Sequence, residues 1–187
     1  MKTLIFFILF FSLNCYAQGD FDFRNNRWDD TKEDVIKTEK EQPPYDTGDR
    51  IGYIRKIANL QTFVYYQFLN NKLAKGYYIF TEEHVNKNSF ITDYKSVNTL
   101  LKEKYGDPQI DNENWSNDLY KKQPAQYGFA VSVGHLHLFT NWQETETRID
   151  HLIHGDNFKI THLLTYTAKK YSDQLMIKEK KQSSEGL

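Results

Sequence analysis

The stretch LQTFVYYQFLNNKLAKGYYIF, residues 60–80, decides how this chain folds. Leu60–Leu69 and Lys72–Phe80 are rich in β-branched and aromatic residues, which suit a pleated, half-buried surface. Successive side chains of a strand point to opposite faces. Leu60, Thr62, Val64, Tyr66 and Phe68 therefore share one face, and Gln61, Phe63, Tyr65 and Gln67 the other. Asn70-Asn71 separates the two runs, and asparagine tolerates the left-handed backbone that a two-residue hairpin turn requires. The spacing predicts an antiparallel hairpin, with Ile51–Ile57, of similar composition, as a third strand before it.

Towards the N-terminus, Asp30 and Glu33 have the spacing of a capping box for a helix over Thr31–Glu41, with Trp28 packing back on Val35 or Ile36. Pro43-Pro44 ends it, because neither residue has an N–H to donate. Towards the C-terminus, Ile91, Tyr94, Val97, Leu100, Leu101 and Tyr105 recur at helical spacing, and Gly106 and Pro108 close that helix. Residues 107–127 read as polar and turn-rich, anchored by Trp115. Phe129–Thr140, Thr145–His154 and Phe158–Thr167 then predict three more strands, with a tight turn at Gly155-Asp156-Asn157.

The predicted order is helix, three strands, helix, three strands. This is an α+β fold of two helix-plus-antiparallel-sheet halves, about 28–88 and 89–172. Each half is below about 80 residues and would bury little core alone, so one shared sheet is expected within a single domain, 28–172. Residues 18–27 read as a flexible N-terminal segment and 173–187, with KEKKQSSEGL from Lys178 onward, as a solvated polar tail.

Residues 1–17 read as a signal peptide. Lys2 gives a positive start, Leu4–Leu13 a short apolar core, and Cys15 and Ala17 the small residues of a cleavage site. The apolar run is too short to span a bilayer as an ordinary helix. Cleavage after Ala17 leaves Gln18 first in a chain of 170 residues with no cysteine, and losing Lys2 moves the formal charge from -1 to -2. Disulfide staples, thiol catalysis and cysteine metal ligation are excluded for that chain. Lipidation at Cys15 is the rival reading; Asn14 disfavours it, being bulky where such signals carry a small residue. The expected destination is periplasmic or extracellular. Near-neutral charge excludes a field that gathers nucleic acid or anionic lipid.

Histidine is the residue type that offers most chemistry. On a strand His135 and His137 share a face, as His151 and His162 do across the last hairpin. His135 or His137 together with His151 and His162 is thus a candidate three-histidine zinc or copper site. The competing reading is that these are half-buried sheet residues bonded to neighbours. Glu82-Glu83 and Glu144/Glu146 are candidate carboxylate pairs, read more simply as solvated turn charges. No nucleophile elbow, phosphate loop or dinucleotide fingerprint is present, and no catalytic residue or cofactor is assigned. The second feature is aromatic: Tyr65, Tyr66, Tyr77 and Tyr78 occupy both faces of the central hairpin and Trp142 stands at the tip of another. A sheet covered by helices on one side leaves its other face free, which makes Tyr65, Tyr77 and Trp142 candidate binding residues.

Arg27-Trp28-Asp29-Asp30-Thr31-Lys32-Glu33-Asp34-Val35 resembles the W-G-x-[ST]-x-E-x-V start of many small exported bacterial proteins, with Asp29 in place of the glycine. Lys104-Tyr105-Gly106-Asp107-Pro108, Gly128–Leu136 (GFAVSVGHL) and Trp142, Glu144 and Thr145 are together similar to a family of small secreted bacterial proteins, from which no catalytic residue transfers. More remotely, the helix-then-sheet units resemble in shape the small outer-membrane assembly lipoprotein and the β-lactamase-inhibitor fold, which implies binding or scaffolding. The reading that follows is an exported, non-catalytic binding or envelope-accessory protein, its partner an envelope or secreted protein. The alternatives are a metal-dependent enzyme using the histidines and a secreted inhibitor or immunity-type protein.

Overall fold

The computed structural model describes residues 21–185; the signal peptide reading and Cys15 fall outside them. Elements are numbered in chain order: α1 (Lys32–Glu39), β1 (Tyr45–Asp46), β2 (Arg50–Ile57), β3 (Leu60–Leu69), β4 (Lys72–Phe80), α2 (Asn88–Tyr105), β5 (Ile110–Trp115), α3 (Tyr127–Ser132), β6 (Leu136–Gln143), β7 (Thr147–Asp156), β8 (Lys159–Ala168) and α4 (Ser172–Glu185). All strands join one antiparallel sheet of eight, ordered β1-β2-β3-β4-β8-β7-β6-β5. The fold is α+β, and the two halves meet through their last strands, β4 against β8.

The hairpin of residues 60–80 forms over the predicted spans. Asn70 (φ 50°) and Asn71 (φ 60°) both take the left-handed backbone, which matches the twist of the flanking strands. The first helix starts one residue later than read: Thr31, not Asp30, is the N-cap, and its hydroxyl and the Asp34 carboxylate bond reciprocally to each other's backbone. At its end Glu39 accepts from Arg24 Nε at 2.8 Å and Arg55 Nη2 at 2.7 Å, and from the Tyr66 hydroxyl. Burial opposes the ionised Glu39 carboxyl, but Tyr66 and the two guanidinium groups outweigh it and hold the group below its usual range.

One face of the sheet carries α1, α2 and α3. Val35, Val97 and Leu101 pack there on Tyr53, Tyr66, Tyr78, Ile149 and Leu164, while Ile91 and Tyr94 pack with Val131, Leu138 and Ile153. Leu100, read as part of the α2 stripe, is exposed, and Asn98 is buried in its stead.

Four expectations are corrected. The segment before α1 is anchored rather than flexible from residue 21 onward. Phe23 is buried under Gly76, where an added Cβ would meet its ring at 2.2 Å, and the Trp28 indole N–H donates to Thr147 Oγ1 at 2.9 Å. Phe129–Thr140 is not one strand but α3 followed by β6. Gly134 (φ 75°) ends α3, its N–H bonding Val131 C=O while His135 N–H bonds Ala130 C=O, a helix stop of the Schellman type. Residues 110–115, read as loop, are the edge strand β5. Residues from Ser172 to Glu185, read as a loose tail, form α4, fixed by Leu175 against Leu69 and Ala74 and by Lys178–Asp49 and Lys75–Glu179 ion pairs.

Trp142, read as a hairpin tip, lies on the helix-bearing face of β6 with no exposed surface, and its indole N–H donates to Gly106 C=O at 2.9 Å, closing the end of α2. It is a core residue. Trp142→Ala is expected to cost about 3–5 kcal/mol in urea unfolding; a cost below about 1 kcal/mol would contradict that placement.

Candidate functional site

Strand register builds the open face. Ile54 pairs with Phe63, Phe63 with Ile79, Ile79 with Leu163, Leu163 with Leu152 and Leu152 with Phe139. One apolar row thus crosses six adjacent strands on the face away from α1, α2 and α3. Ile54 and Phe63 are 52% and 39% exposed, and the other four are half-buried. The adjoining row holds Tyr65 and Tyr77, directly paired and stacked with ring centroids 5.1 Å apart at 18°, and Tyr45 edge-on to Tyr65 at 5.3 Å. Burial raises the Tyr65 and Tyr77 hydroxyl pKa values, and at Tyr77 the bonded Arg50 guanidinium opposes this. Beyond them a polar row, Gln67, Lys75, Thr167 and Arg148, is bordered by α4, so the helix forms a wall along one side of the apolar row. Of the three residues read as binding groups, the structure brings Tyr65 and Tyr77 together here and removes Trp142.

The histidines divide between the two faces. Thr140 pairs with His151, so His151 and His162 lie on the helix-bearing face, whereas His137, three residues before Thr140 and of opposite parity, lies on the open face. His137 is near His154, ring centroids 6.1 Å apart, and His135 precedes β6, stacked on Tyr120. The expected combination of His135 or His137 with His151 and His162 is therefore split by the sheet itself, and among the described residues no cluster of three metal-binding side chains occurs.

His151 and His162 do meet, as their parity predicts. Their Nε2 atoms are 2.7 Å apart, His151 Nδ1 is 2.5 Å from Asn98 Oδ1, and Asn98 Nδ2 donates to Thr140 Oγ1 at 2.9 Å. Thr140 Oγ1 in turn lies 2.5 Å from the Tyr94 hydroxyl, which reaches His151 C=O at 3.4 Å. Tyr94 stacks on His151 at 4.2 Å and Phe80 on His162 at 4.1 Å. Burial and the neighbouring His162 push the His151 pKa well below its usual value; burial lowers that of His162 to about 3 and raises the Tyr94 hydroxyl to about 12. Both rings are neutral at pH 7. Asn98 and Thr140 escaped the sequence reading, although a polar residue four positions after Tyr94 inside an apolar helical stripe is a signal of buried bonding.

The two carboxylate pairs lie in different surroundings. Glu82 accepts from Gln61 N–H at 2.6 Å while Glu83 is exposed; Glu144 and Glu146 border an open cleft of about 360 Å³ with Arg24 and Lys104. No helix among the described residues is long and apolar enough to cross a membrane. Comparison with protein-family models, curated proteins and solved structures gives no match to this chain.

Asn98→Leu removes the acceptor of the His151 ring N–H and the donor to Thr140 while keeping the number and branching of side-chain heavy atoms. Leaving buried polar groups unpaired costs about 1–3 kcal/mol, so a drop of that size is expected in urea unfolding at pH 7. A neutral effect would show that the network contributes nothing.

Proposed function

We propose that this chain is an exported, non-catalytic binding module that holds a protein partner on the open face of its sheet. The observation that carries the reading is the apolar row Ile54–Phe63–Ile79–Leu163–Leu152–Phe139. Residues on six separate strands supply it, and hydration of a continuous apolar strip is unfavourable in proportion to its area. The composition favours a protein over a small molecule: the row runs over six strands, and stacked Tyr65 and Tyr77 beside it offer aromatic area with polar hydroxyl tips, as at interface centres. The α4 wall, with Met176 64% exposed, limits approach from one side. Export rests on Lys2, the apolar run Leu4–Leu13 and the small residues Cys15 and Ala17, and places the partner in the envelope or the medium.

Two outcomes are expected. A photo-crosslinking residue placed at Phe63, Ile79 or Phe139 yields one discrete protein adduct in cells making the full chain, whereas the same group at Thr99 on the exposed side of α2 does not. Equal adducts at all positions, or none at the sheet positions, overturn the reading. Mass spectrometry of the exported protein gives a chain beginning at Gln18; an acylated chain beginning at Cys15 would establish the lipoprotein alternative.

A further inference from the structure

The His151–His162 contact admits few protonation states. With Asn98 Nδ2 turned to Thr140, Asn98 Oδ1 is the acceptor facing His151, so His151 carries its proton on Nδ1 and leaves Nε2 bare. Across 2.7 Å, His162 Nε2 must then donate, which leaves the lone pair of the pair's fourth nitrogen on His162 Nδ1. The chain runs from α2 through β7 to β8, and all its members are uncharged. A proton added to His151 Nε2 sets two N–H groups against each other across that contact. A proton added to His162 creates an imidazolium in a site where Phe80 of β4 covers the ring and Tyr94 of α2, Thr140 of β6 and Asn98 supply only neutral groups. Among the described residues no carboxylate bonds either ring. The charged groups of the adjoining cleft are Lys95 and Lys102 on α2 and Asp111 and Glu113 on β5, with Lys102 and Asp111 paired to each other.

We propose that the His151–His162 pair is an acid-sensitive latch that holds the middle of α2 on the sheet and releases it when the pair takes up a proton. Tyr94 and Asn98 are the two α2 residues bonded into the chain, and Val97 lies between them in the core. Loss of the chain therefore acts on one turn of one helix. The latch is independent of the docking face, which lies on the other side of the sheet.

The sign follows from linkage. Unfolded histidine takes a proton near pH 6.5, while the folded pair resists it, so the open state binds more protons as pH falls. The closed form is fully favoured above about pH 6.5, and the closed-to-open ratio falls by up to about ten-fold per pH unit for each histidine below that. Glu39, Asp29, Asp46 and Asp49 are also held below their usual pKa values, but these start from 4.5 or 3.8. They contribute to acid opening only below that range, which leaves pH 6.5 to 4.5 to histidine. His154, on the opposite face of β7 and held below its usual value by burial and His137, acts in the same interval and stays intact when His151 and His162 are replaced.

Hydrogen exchange of the full mature chain, corrected for intrinsic rate, tests this. Protection over residues 91–101 is expected to fall by ten- to a hundred-fold per pH unit between pH 6.5 and 4.5, ahead of β2 and β3. The double variant His151→Gln and His162→Gln, whose amides offer the same donors and acceptors without titrating, is expected to abolish that dependence. Unchanged α2 protection in the wild type, or the same profile in the variant, overturns the proposal. Should the variant not fold, ¹⁵N spectra of the wild-type imidazoles decide: the bare-nitrogen signals must vanish over the interval in which α2 opens, and loss at a different pH overturns the latch.

Discussion

The pairing of β4 with β8 is the contact on which the rest of the molecule depends. Each half of the chain contributes four antiparallel strands behind a leading helix, with α3 inserted after β5 in the second, and each alone would expose one long strand edge and half a core. Six residue pairs, from Lys75↔Thr167 to Phe80↔His162, convert two small sheets into one. Backbone bonding removes both exposed edges there, and the register it sets propagates outward on both faces. On the helix side it brings Tyr78 beside Tyr166 and lays Phe80 over His162. On the open side it pairs Ile79 with Leu163, the step that makes the apolar row continuous across the seam. A slip of one residue would send every one of these side chains to the opposite face.

Long-range tethers then hold the chain ends to this frame. Trp28 bonds Thr147 at the start of β7, Phe23 sits under Gly76 on β4, and α4 returns from β8 to form ion pairs with Asp49 and Lys75. N-terminal and C-terminal segments therefore both cross the seam. Exposed ion pairs of this kind contribute little individually; the apolar anchors Phe23, Trp28 and Leu175 set the positions and the charges select the orientation.

The parts of the fold legible in the sequence are those whose signals are local. Asn70-Asn71 pins the central hairpin, and alternation on both sides of it gives its register. The face shared by His151 and His162 was equally legible, although the turn falls at Asn157-Phe158, one residue beyond the expected positions: any two-residue loop keeps both on one face. Phe129–Val133 misleads because aliphatic residues suit a buried helix turn as well as a strand, and only Gly134 marks the stop. The β5 sequence IDNENW carries no apolar alternation, since an edge strand bonded on one side needs none and its charges discourage further pairing. The α4 helix has a single buried apolar residue, Leu175, and its other holds are ion pairs to residues far away in sequence. Trp142 misled because β6 runs on to Gln143, three residues past the Thr140 end read from the pattern, which puts Trp142 inside the strand.

The two faces of the sheet differ in how their side chains are held. The helix side contains a closed polar network within an apolar core, and such a network favours one arrangement because every member must find its partner at once. Its donors and acceptors fix the rotation of α2 about its axis, which Val97 and Leu101, being apolar and non-directional, do not. The open side sets its apolar row beside a polar chain of its own, Gln143 to Asn141 to Asp150 to Arg148, and its border cations Arg148, Lys75 and Arg50 lie against Asp150, Glu179 and Asp49. Internal packing is thus specified by directional bonds among neutral groups, while the external face sets an apolar row between paired charges. The row, which no directional bond fixes, is the part of that face whose burial gains free energy in proportion to its area.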